Sequence, residues 1–151
     1  MLSHPILEIF LRDLNKLKEE IALYKNENDL WIVKGEIKNS AGNLCLHLCG
    51  NLNFFIGTTL GKTGYVRNRD LEFSAKNISA EELISQIEET IEFVKNVLSK
   101  ISDEEMLKFF SIDFLGKRPL TIEMLFQLIG HLNYHLGQIN YHRRLVTFAS
   151  P

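Results

Sequence analysis

Apolar residues recur at helical spacing from the start of the chain. Ile6, Phe10, Leu14, Leu17, Ile21 and Tyr24 fall three or four apart, which puts them on one face of a helix. Pro5 suits the first turn after Ser3, where a missing N–H costs nothing. This helix is expected to end near Lys25. Polar turn residues Asn26–Asp29 follow, then Trp31-Ile32-Val33 as a loop or short turn against the rest. A second helix is expected after a cap at Asn39 or Ser40. It carries Leu44, His47, Leu48, Asn51, Leu52 and Phe55 and stops near Gly57. It is apolar on nearly every side, which predicts deep burial.

Ser79-Ala80-Glu81-Glu82 has the form of a capping box. It opens a third long helix with Leu83, Ile87, Ile91, Val94 and Leu98 along one stripe. Ser102–Glu105 reads as a short helical turn or exposed bend, and Phe109–Arg118 as a small hairpin turning at Gly116. Pro119-Leu120-Thr121 begins a fourth long helix, capped by Thr121 and running to about Phe148. Residues 57–78 form a long connection with glycines at 57, 61 and 64. At ~3.3 Å per residue it can cross a bundle from end to end, so the second and third long helices can run parallel. Four long amphipathic helices predict an all-α four-helix bundle. The 151 residues fit one domain over positions 1–151.

The net charge of −2 and scattered basic residues exclude a general binder of nucleic acid or membrane surface. The one dense basic group is Lys117-Arg118 with Arg143-Arg144. No apolar run reaches the ~20 residues of a membrane span. Met1–Pro5 lacks the basic-then-apolar pattern of a signal peptide, so a cytoplasmic protein is expected. Cys45 and Cys49 are four apart on a helix, where parallel side chains make a poor disulfide pair. They read as small core residues.

The chemistry concentrates in the fourth long helix, at Gly130-His131-Leu132-Asn133-Tyr134-His135-Leu136-Gly137-Gln138. Four helical residues turn the chain by about 40° net, so His131 and His135 share a face one turn apart. Such pairs also occur as exposed histidines or as core histidines satisfied by hydrogen bonds. The metal reading gains from His47, which sits mid-helix among Leu44, Leu46, Leu48 and Leu52, where an unpartnered imidazole is costly. Three neutral imidazoles can hold one divalent cation and leave coordination positions open. Cys45 and Cys49 lie about 160° around the helix from His47 and cannot share its ion. Asn51, one turn after His47, and Gln138, three after His135, are better placed to orient a ligand or a bound water. His142 lies about 10 Å along the axis from His135, too far to close the site.

One histidine in the second helix and an H-x-x-x-H pair followed by x-G-Q in the fourth resemble the DinB-like superfamily of bacterial four-helix proteins, the DinB/YfiT-like putative metalloenzymes. Here those residues are His47, His131, His135, Gly137 and Gln138. Arg67-Asn68-Arg69-Asp70-Leu71-Glu72-Phe73 is similar to the R-x-R-D-x-E-F run of an uncharacterised subgroup. The resemblance implies an up-down-down-up bundle and a divalent metal on His47, His131 and His135, zinc or nickel foremost, with iron or manganese as alternatives. It also implies a homodimer, and metal-dependent thiol transferase or thiol-dependent isomerase chemistry with a low-molecular-weight thiol. Two functions follow. One is a metalloenzyme acting on a small molecule, a thiol transferase or a hydrolase. The other is a non-enzymatic metal-binding or stress-related bundle. Arg67, Arg69 and Arg143 are candidates to hold an anionic part of a substrate, but surface charge or a salt bridge to Asp70 or Glu72 is the preferred reading for them.

Overall fold

The computed structural model describes residues 1–149, with side chains through Thr147. Ser150 and Pro151, the end of the expected domain, lie outside the described residues. Four long helices carry the fold: α1 (Ser3–Ala22), α2 (Ala41–Leu52), α4 (Ala80–Leu98) and α6 (Thr121–Ala149). Two short helices, α3 (Arg69–Ser74) and α5 (Asp103–Met106), lie in the connections, and a 3-10 turn covers Glu27–Trp31. Each of α1 and α2 packs against both α4 and α6, which closes the long helices into a ring around one core. The anticipated stripe on α1 is buried throughout, and all twelve residues of α2 are buried. Each fully buried Leu, Ile or Phe contributes about 1.5–3 kcal/mol over leaving it in water. Trp31 packs its ring on α2 at Gly42, where a Cβ would stand 2.7 Å from ring carbons, and donates from its indole N–H to the Ile78 carbonyl at 3.3 Å.

Several boundaries differ from the sequence reading, each for a local reason. α1 ends at Ala22, three residues before Lys25. α2 does not stop at Gly57. It passes into a π-helical segment, Asn53–Leu60, a wide-turn geometry frequent at functional sites. Ser40, not Asn39, caps α2 by accepting from the Asn43 N–H. Ser79 accepts from the Glu82 N–H, which is half a capping box. The reciprocal box forms at Ser102, whose backbone N–H donates to Glu105 while its hydroxyl accepts from the Glu105 N–H. Thr121 does not cap α6, because its hydroxyl donates to the Lys108 carbonyl; the Glu123 carboxylate accepts the Leu120 N–H at that helix end. The expected hairpin consists of two isolated antiparallel bridges, Phe109 with Leu120 and Phe114 with Lys117. Its tip, Leu115-Gly116, has φ of 51° and 74°, the geometry of a two-residue primed turn.

The connection from α2 to α4 is not structureless. Within it α3 docks on α2 because the Asn43 side-chain amide donates to the Glu72 and Ala75 carbonyls at 3.0 and 2.9 Å. That clamp sets α3 beside His47. Among the described residues, no helix is long and apolar enough to cross a membrane.

Candidate metal centre

His47 on α2 and His131 and His135 on α6 come together, each offering one ligand atom, with all three atoms within 4.8 Å of one another. Among the described residues no other set of three or more histidine, cysteine or acidic side chains does so. The ring centroids stand 4.9 Å apart for His47 and His131, 5.3 Å for His47 and His135, and 4.6 Å for His131 and His135. Nε2 of His47 and Nε2 of His131 face each other at 3.0 Å. Two nitrogens that each bind an ion at ~2.1 Å can stand this close.

Partners on the far side of two rings fix which nitrogen is free. Nδ1 of His47 lies 2.9 Å from Oε1 of Glu72, so an Nδ1–H donates to the carboxylate and the Nε2 lone pair is left for a ligand role. Arg67 Nη2 also lies 3.3 Å from that Nδ1. Its shorter bond goes to Glu72, and an N–H at Nδ1 cannot accept. Nδ1 of His135 lies 2.7 Å from Oε1 of Gln138, which orients the ring as expected. Of the four buried side-chain atoms without a hydrogen-bond partner among the described residues, two lie at this site: Nδ1 of His131 and Oδ1 of Asn51. An unpaired acceptor at Asn51, on the same cavity as His47 and His131, suits a bound donor such as water. The donor set of neutral imidazoles with oriented tautomers fits a borderline divalent ion.

Sequence reasoning missed the role of Glu72. This carboxylate is buried and takes both guanidinium arms of Arg67, Nε at 2.8 Å and Nη2 at 2.8 Å, besides His47. Burial pushes its carboxyl up, but the Arg67 fork and the His47 bond outweigh this and hold it below the ordinary range. It therefore stays charged at neutral pH and holds His47. Phe73 stacks on the His47 ring at 4.8 Å, and Arg69 lies over Phe73 at 5.3 Å. The preferred salt-bridge reading therefore holds for Arg67, with Glu72, while Arg143 pairs instead with a residue that reading did not name, Glu20, at 2.7 Å. Arg69 has its cation–π contact but no acidic partner among the described residues.

The two cysteines and His142 lie apart from this centre. Cys45 and Cys49 are buried free thiols, outside the histidine group as the helix phasing requires. His142 is a satisfied core histidine, with Tyr24 Oη at 2.7 Å from Nδ1 and the Ile32 carbonyl 2.8 Å from Nε2.

Gly50 leaves the room that Glu72 occupies. A Cβ there would collide with the carboxylate oxygen and stand 2.7 Å from Cδ. Gly50→Ala is expected to displace Glu72, destabilise the protein by about 1–3 kcal/mol and weaken metal binding by ~10-fold or more. Metal titration against thermal melting reads both. Unchanged affinity would show that Glu72 does not hold His47.

Burial, then the neighbouring His135 and His47, lowers the His131 pKa to about 4, and burial also lowers that of His135. The unfolded chain takes up these protons near pH 6.5, while the folded chain refuses them until lower pH. Metal-free stability present above pH 6.5 is therefore lost progressively as pH falls toward 4. Denaturant midpoints from pH 8 to pH 4 measure this, and His131→Ala should flatten the slope.

A cavity of about 520 Å³ opens on the cluster, lined by His47 and His131 with Asn51, Arg67, Arg69 and Tyr134 among others. No carboxylate lines it among the described residues. In overall shape the chain is similar to a solved structure described as the conserved protein of a locus from Enterococcus faecalis. That likeness has a TM-score of 0.72 and 16% identity, and covers 97% of this chain and 98% of that one. At this identity it speaks to the fold alone. Comparison with curated proteins finds no match. Residues 7–149 match the model of a family described as protein of unknown function (DUF1572). An all-helical chain with this match belongs to the DUF1572 family, whose fold is DinB-like.

Proposed function

We propose that the protein is a divalent-metal-dependent enzyme acting on a small anionic substrate, with His47, His131 and His135 as the ligands and thiol transfer as the reaction type. The observation that carries this reading is the convergence of three imidazoles, two of which, His47 and His131, line an open cavity with no carboxylate among its described lining residues. A bound cation supplies a lowered pKa for a thiol or water at its open position, giving a nucleophile near neutral pH. Zinc or nickel suits three imidazoles best, ahead of iron or manganese. The up-down-down-up order of the long helices and the assignment of the R-x-R-D-x-E-F run to a distinct subgroup belong to the same reading.

The chain's own residues have separable tasks. Glu72 and Gln138 hold His47 and His135 in register. Asn51 offers a buried acceptor to a donor at the site. Arg69 supplies the cavity's uncompensated positive charge, since Arg67 is neutralised by Glu72. Three neutral ligands leave the full charge of a divalent ion, so an anionic substrate is favoured there.

The experiment is metal analysis of untagged protein, then a screen of thiols against 1-chloro-2,4-dinitrobenzene. In each turnover the sulfur–carbon bond forms, chloride leaves, and the thiol proton passes to solvent. Turnover that requires the metal supports the enzyme; stoichiometric metal with no turnover on any thiol supports the non-enzymatic alternative. Arg69→Ala is expected to raise KM for 3-mercaptopropionate several-fold while leaving the value for neutral 2-mercaptoethanol unchanged. Equal effects on both thiols would remove the anion role.

A further inference from the structure

Helix α6 is apolar on two opposite sides. One side is core, with Leu125, Leu128, Leu132 and Ile139 buried. The other leaves Phe126, Tyr134, Tyr141 and Leu145 exposed by 54, 65, 66 and 59%. At 100° per residue these four fall within an arc of about 100°. Gly130 and Gly137 lie inside the same arc. A glycine in a helix interior costs about 1 kcal/mol relative to alanine. Among the described residues nothing calls for either glycine, because a Cβ at each would meet none of their atoms within 4 Å. Two bare positions between exposed aromatic residues suit the close approach of a second helix.

The spacing identifies that helix. A two-fold interface is self-complementary: if residue i meets residue j of the partner, j meets i. Pairing Phe126 with Tyr141, Gly130 with Gly137 and Glu123 with Arg144 gives three pairs centred on one point, midway between Asn133 and Tyr134. One antiparallel register thus sets aromatic against aromatic, glycine against glycine and acid against base. Arg144 stacks on Tyr141 at 5.5 Å and has no acidic partner among the described residues. Glu123 is exposed, with one carboxylate oxygen given to the Leu120 N–H.

We infer that two copies of this chain pair antiparallel along α6, about a two-fold axis between Asn133 and Tyr134, with Gly130 of each copy against Gly137 of the other. The resemblance to DinB-like proteins implies a dimer but neither this face nor this register. Gly130 and Tyr134 also line the metal cavity, so the partner's α6 forms one wall of its mouth. The pairing rests on the surface of α6 and stands apart from the metal reading.

Sedimentation velocity of the full chain is expected to give twice the 17.4 kDa of one copy. Arg144→Glu sets like charges opposite each other and should raise the dimer dissociation constant at least ~10-fold. Adding Glu123→Arg to it should restore the dimer. A short bismaleimide should link Tyr134→Cys to its own copy, because that position sits at the axis. It should link Tyr141→Cys only when mixed with Phe126→Cys; the native Cys45 and Cys49 are buried. All these positions are exposed, and a helical far-UV spectrum checks folding. A wild-type chain that stays monomeric at tens of micromolar overturns the inference. So does a dimer indifferent to Arg144→Glu, or one that Tyr134→Cys fails to link.

Discussion

Glu72→Ala is expected to damage the protein twice over. Removing this buried carboxylate strands the guanidinium of Arg67, whose side chain is only 13% exposed. Breaking a buried pair by deleting one partner costs about 3–5 kcal/mol, because the surviving charge loses its compensation. The same change frees the Nδ1 side of His47. Loss of the group that orients a ligand imidazole typically weakens metal binding 10–100-fold. Chemical denaturation of metal-free protein reads the first effect and zinc titration the second. Glu72→Gln keeps the volume and one acceptor, so it should fall between wild type and Glu72→Ala in both. A Glu72→Ala protein that melts and binds zinc like wild type would show that the Arg67–Glu72–His47 chain is ornamental.

His47→Ala is expected to separate metal binding from folding. The core spans α1, α2, α4 and α6 with Phe10, Leu14, Leu48, Leu83 and Leu132 fully buried, and His47 contributes little to it. Glu72 keeps Arg67 as a partner in the variant. The metal-free variant should therefore give a helical far-UV spectrum and a cooperative melt. With one of three ligands gone, affinity should drop by ~100-fold or more. At an ion concentration ~100-fold above its dissociation constant, wild type gains about 2.7 kcal/mol, and the variant should gain almost none at the same concentration. An unfolded variant, or one with the wild-type gain, would contradict the assignment.

The three histidines were legible in the sequence because helix phasing is a strong constraint. An i,i+4 pair must share a face, and a histidine amid leucines must find a use. Phasing also kept Cys45 and Cys49 out of the site. Glu72 and Arg67 were legible only as a candidate salt bridge. They sit on or beside α3, whose six residues are too short to show a period. What docks α3 is a side chain far off in sequence, Asn43. The two Ser-x-x-Glu segments look alike, yet only Glu105 turns back on its serine. That difference lies in side-chain conformation, which spacing does not encode. The π-helical segment was missed for a similar reason: a run of Asn53–Leu60 scans as the end of an apolar α-helix.

The central claim is that His47, His131 and His135 bind one divalent ion, and anomalous diffraction from crystals of metal-loaded protein tests it most directly. The account predicts one peak per chain, bonded to one nitrogen of each histidine at about 2.0–2.2 Å, with Glu72 on Nδ1 of His47 and off the metal. Stoichiometric metal whose peak lies away from the three imidazoles, on Asp70 and Glu72 for example, would contradict it.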